Sequence, residues 1–141
     1  MGSRQVKVLR NQQECSGIQN RGQKMSNNLE NFGEIFVNEV RDNTLETFEK
    51  MFDGRMKGLT AQNVRDKISI FDEQEESILL WLLSKTVDQC MHNMLFMLEE
   101  HEEVEMLYAG ENIVEESDGL SGELYTEDGW IEKYSKKVYE G

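Results

Sequence analysis

The chain has 141 residues, with 15 basic and 28 acidic side chains, a formal charge of −13 and a 38% hydrophobic share. That length and apolar content suffice for one domain with a buried core and argue against wholesale disorder. The charge disfavours nucleic acid and an anionic membrane surface as direct partners, since both need the opposite sign. No run nears the ~18 apolar residues of a membrane span.

Residues 1–24 differ from the rest. They hold five basic residues against Glu14 alone, a net +4, so the remainder carries −17 to give the chain's −13. They are rich in Gln, Asn, Ser and Gly and lack the apolar core of a secretory signal. We read 1–24 as a tail or an expression-derived extension, with Met25 as the start and 25–141 as a single helical domain. The two cysteines, Cys15 and Cys90, fall in this tail and in a helix expected to be buried. A disulfide is therefore not expected, and a reducing cytoplasm is the expected compartment.

From Leu29 the apolar residues Leu29, Phe32, Ile35, Phe36, Val40, Leu45, Phe48, Met51 and Phe52 recur at steps dominated by three and four. This spacing predicts an amphipathic helix of about six turns, capped at Ser26, Asn27 or Asn28 and ended by Gly54 and Gly58. Thr60 is expected to cap a short helix from Ala61 to about Ser69. Asp72 opens a third helix whose first turns carry Glu73, Glu75 and Glu76, where the dipole favours negative charge. Its run from Ile78 to Leu98 is apolar over most of its circumference and predicts the central buried helix. Lys85, Asp88, Gln89 and His92 form its polar stripe.

After His101 the alternation of Val104, Met106 and Tyr108, with a turn over Ala109–Asn112, points to a β-hairpin near 103–115, the alternative being a frayed helix end. Ser117–Gly122 reads as loop. A last helix is expected from Thr126 through Trp130, Ile131 and Tyr134 to Lys136 and Lys137. The fold class is mainly α: a helical bundle around the helix at about 72–100.

No enzyme signature emerges. Asp88 and His92 lie four apart and can meet on one helix face as an acid–base pair or half a metal site. His101, among Glu99, Glu100, Glu102 and Glu103, is the other candidate ligand. No His-Glu-x-x-His or paired Glu-x-x-His supports a metal, and the calcium-loop reading of 115–119 fails because Val114 and Tyr125 occupy positions that need carboxylates. No cofactor motif is present.

From Glu99 to Glu132 there are thirteen acidic residues and no Lys or Arg. Tyr108, Glu111, Glu115, Glu116, Asp118, Tyr125 and Trp130 form the candidate partner-binding set, because aromatic anchors within a charged rim are a common interface design. Solubility alone is the competing account of the charge. In charge and size the chain resembles the immunity proteins and antitoxins that block basic nucleases; the likeness covers no motif. The expected role is a non-enzymatic binding domain for a basic protein. The alternatives are a metal-assisted enzyme around Asp88, His92 and His101, and a helical homo-oligomer, such as a homodimer, through the Leu/Met face of the third helix.

Overall fold

The computed structural model describes residues 27–140; the readings of 1–24 and of the Ser26 cap lie outside them. The first predicted helix is one continuous rod in three parts. Helix α1 covers 27–35, a π-helical segment spans Phe36–Asp42, and α2 runs Asn43–Phe52. The wider π turns shift the register of the buried face. Val37, Arg41 and Leu45 are spaced by four, which drifts in a 3.6-residue α-helix, yet all three are buried. Val40, within the π segment, and Ile35, just before it, were both expected to face inward but are exposed to solvent. Arg41 and Asp42, by contrast, lie inside.

Gly54, at φ +81°, turns the chain after α2 as expected. Helix α3 then covers Leu59–Ile68 with Gly58, rather than Thr60, at its N-cap. Helix α4 spans Glu73–Glu100 and starts from a capping box. Asp72 accepts from the Glu75 amide at 2.8 Å while the Glu75 carboxylate accepts from the Asp72 amide at 2.9 Å.

Helix α4 is not buried all round, contrary to the expectation from its composition. Only a stripe of Ser84, Asp88, Met91, Leu95 and Leu98 is fully enclosed. Ile78 and Leu82 are 49% and 51% exposed, and Phe96, Met97 and Cys90 also face solvent. The reason is architectural: the remaining elements cover one side of α4, so its apolar excess has nothing to pack against on the other. Among the described residues no helix is long and apolar enough to cross a membrane.

The predicted hairpin is present in a short form. Strands β1 (Leu107–Tyr108) and β2 (Glu111–Asn112) pair antiparallel through Ala109 and Gly110, both at positive φ. That pair of conformations suits the right-handed twist of a two-residue hairpin loop. Two 3₁₀ turns follow, Ile113–Glu116 and Leu120–Leu124, and a short α5, Trp130–Tyr134. Residues 117–122 are thus only partly loop, since Leu120, Ser121 and Leu124 are buried under α4. Helix α5 is capped at Gly129 rather than starting at Thr126, because the Gly129 amide donates to the Thr126 carbonyl in a tight turn. It ends before Lys136 and Lys137, and extended chain follows. The core is Leu29, Phe36 and Val37 against Met91, Leu95 and Leu98, closed by Ile113, Leu120, Leu124 and Trp130.

Candidate functional site

The polar centre of the molecule lies where the π-helical segment, α4 and the C-terminal segment meet. Arg41 donates from Nε to Asp88 Oδ1 at 2.5 Å, and from Nη1 to Asp42 at 3.2 Å, Ser135 Oγ at 2.6 Å and the Lys137 carbonyl at 2.9 Å. Asp42 in turn accepts from Ser135 Oγ and the Lys136 amide. Farther along, Lys137 and Tyr139 both reach Glu49, at 2.7 Å and 2.5 Å. Burial works to raise the Glu49 carboxyl, but these two donors outweigh it and hold it below its ordinary value. The π register and the C-terminal segment therefore lock each other in place.

Asp88 is consequently not a free acid. Its carboxylate is committed to Arg41, and the His92 Nδ1 lies 3.3 Å from the Ser121 carbonyl. The alternative Asp88–His92 dyad is not assembled; each residue has another partner. His101 is the exposed C-cap of α4, 3.4 Å from Glu103. Nine residues along a helix separate it from His92 by about 13 Å on opposite faces, too far to share an ion. Among the described residues no three His, Cys, Asp or Glu side chains are placed to hold a metal.

The candidate binding residues divide into three groups. Trp130 is 0% exposed and belongs to the core, edge-on to Phe32 at 5.8 Å. It cannot be a surface anchor, and the reading of it as one is corrected. Its packing depends on Gly33, where a Cβ would lie 2.4 Å from the indole. An isolated glycine inside a helical pattern was the available signal for that close approach. Tyr108 and Glu111 face each other across the hairpin, and Tyr108 also meets Phe32 edge-on at 6.4 Å. Glu115 and Asp118 are exposed.

Glu116 is half-buried, and both its carboxylate oxygens are shielded without a hydrogen-bond partner. Burial, seconded by the Glu111 charge, pushes its carboxyl above the ordinary range. The Leu29 amide lies near enough to oppose this, but not in hydrogen-bonding geometry.

Tyr125 is 52% exposed and held rigidly. Its hydroxyl donates to the Asp88 carbonyl at 2.9 Å and its ring lies 5.6 Å from that of His92. It forms one wall of a groove of about 440 Å³ between α4 and the C-terminal segment, with Leu124 and Ile131 below and Lys85, Gln89, Thr126 and Glu132 around it. An adjoining cavity of about 210 Å³ shares Lys85, Asp88, Ile131 and Glu132 and reaches Arg41.

The acidic stretch 99–132 is used unevenly. Glu99 is structural, accepting from Ser121 N and Oγ at 2.7 and 3.0 Å. Elsewhere the Lys and Arg ion pairs among the described residues go to Glu30, Asp42, Glu46, Glu49, Asp53 and Asp88. All of these lie outside the stretch.

No family model matches this chain, and no curated protein or solved structure matches it.

Proposed function

We propose that this chain is a non-enzymatic binding domain for a basic polypeptide, of the kind that inhibits a basic protein or nuclease by occupying its phosphate-binding groove. The observation that carries this reading is the electrostatic arrangement at the end of α4. Glu100, Glu102, Glu103 and Glu105 are all exposed at or just beyond the C-terminus of a 28-residue helix with no basic residue in its last turn. The helix dipole is negative there, so carboxylates at that end are disfavoured within the isolated chain. The first turn shows the opposite, favourable arrangement. A cluster that costs stability in the free chain and has no Lys or Arg partner among the described residues would gain most from an incoming cationic surface.

The test separates placement from net charge. One variant carries Gln at Glu100, Glu102, Glu103 and Glu105; a second, of equal net charge, neutralises the exposed Glu34, Asp66, Glu73 and Glu140 as their amides. Decaarginine should bind the first more weakly than the second by at least about tenfold at low salt, a difference near 1.4 kcal/mol. Equal affinities would leave solubility as the account of the charge.

A second reading, a helical homodimer, is favoured by one observation. Phe71, Glu75, Ile78, Leu79 and Leu82 line an exposed, mainly apolar groove of about 270 Å³ on α4. If it is a self-association face, Leu82→Glu will lower the solution mass of the wild-type protein, measured by sedimentation, to that of one chain.

A further inference from the structure

We infer that the groove beside Tyr125 receives an arginine side chain of the basic partner, in preference to lysine; this rests on the reading above and names what one of its sites recognises. Three features of the groove select that group. Its floor, Leu124 and Ile131, is apolar and suits a methylene stem. Its wall is the Tyr125 ring, which is half-exposed but fixed at both ends, by the 2.9 Å hydroxyl bond to Asp88 and by the His92 ring. A fixed aromatic face loses little entropy when a flat cation stacks on it. Its rim carries the exposed Glu132 carboxylate, a two-oxygen acceptor that a guanidinium fork can engage through two N–H groups.

A planar guanidinium uses all three features at once, whereas an ammonium uses the carboxylate but neither stacks nor forks. Asp88, at the back, is already neutralised by Arg41, so it neither attracts nor repels the incoming group strongly. Lys85 is the one basic side chain on the wall. It is exposed and makes no ion pair among the described residues, so its flexible stem can turn away from an incoming cation. Beyond Thr126 the chain continues through the exposed Glu127 and Asp128.

The experiment compares decaarginine with decalysine on the full chain by titration calorimetry at low salt. The two peptides carry equal charge, so the ratio of their dissociation constants reads the groove and not the general field. Wild type should bind decaarginine about two- to fivefold more tightly, the scale of one cation–π contact. Tyr125→Leu should bring that ratio to about one while leaving decalysine affinity nearly unchanged, and Glu132→Gln should weaken both peptides but decaarginine more, lowering the ratio toward one. Glu132→Gln is an exposed change that leaves folding intact, so it decides the matter should Tyr125→Leu unfold. A wild-type ratio near one, or a preference untouched by Glu132→Gln, overturns the inference. If both peptides bind equally and the Glu100–Glu105 variant weakens both, the basic-partner reading stands and the arginine groove falls. If neither peptide binds, both fall.

Discussion

Arg41 and Asp88, 47 residues apart in sequence, meet in a buried ion pair of 2.5 Å that ties the π-helical segment to α4. Removing one member strands the other away from water, which in buried pairs costs about 3–5 kcal/mol. Arg41→Ala and Asp88→Ala should each lose about that much in urea melts. The double variant should lose clearly less than the sum, because the penalty of each single change is largely the abandoned partner. Additive losses would mean that the pair is not coupled.

Gly33 is the second fixed point. A methyl group there would fall 2.4 Å from the Trp130 ring, and the indole is a core side chain without room to yield. Overpacking of this type costs about 1–3 kcal/mol. Gly33→Ala should lower stability by that amount and shift the Trp130 fluorescence to longer wavelength as the ring is forced outward. An unchanged spectrum would place Trp130 somewhere else.

Helix α4 offers a graded test along its own length. Leu95 is fully enclosed and Leu82 is half in solvent. Leu95→Ala should cost about 2–5 kcal/mol and Leu82→Ala no more than about 0.5 kcal/mol in denaturant melts. Equal losses would show that the outer face of α4 is covered in solution.

Much of this architecture was readable from residue order, and the failures share a cause. The α4 start at Asp72, the α2 stop at Gly54 and the hairpin at Ala109–Gly110 are local features, decided by caps and backbone conformation within a few residues. The misplaced residues depend on distant partners. Asp88 looked like a companion of His92 in a polar stripe of α4 because its partner, Arg41, lies 47 residues away, and nothing local announces a π register. Ile78 and Leu82 looked buried because periodicity reports how apolar a face is, not whether another element covers it. Trp130 looked like an anchor because its neighbours are acidic; its burial comes from Gly33, nearly a hundred positions earlier. Of the candidate site, Tyr125, Glu115 and Asp118 do stand at the surface, while the groove that gives Tyr125 its setting is formed by α4 and the C-terminal segment and has no sequence signature.

Glu116 predicts an unusual pH dependence. Its folded-state carboxyl is raised by burial, so the native state holds this proton to higher pH than the unfolded chain does. By linkage, its contribution to stability is fully present below the ordinary glutamate value of about 4.3 and is lost as pH rises through the raised folded value. Glu116→Gln removes that dependence. Across a pH series of thermal melts, the stability of the variant relative to wild type should rise between acid and neutral pH. A constant difference would show that the carboxyl titrates normally.

If long-range attraction brings a basic partner in, association should slow as salt rises, since screening acts over about 8 Å at physiological ionic strength. Reversing the exposed Glu115 and Asp118 to Lys should slow association with decaarginine several-fold while changing stability by no more than about 0.5 kcal/mol per site. Stopped-flow mixing at two salt concentrations reads both effects. Rates that ignore salt and charge reversal alike would remove steering from the account.

A basic polypeptide that lands on one face would report its landing place residue by residue in backbone amide shifts during a titration with decaarginine. The account predicts perturbations concentrated at Glu100–Glu105, the 115–118 turn and Tyr125–Glu132, with α3 and the start of α4 unmoved. Perturbations spread evenly over every exposed acid, or centred on Glu73, Glu75 and Glu76, would contradict it.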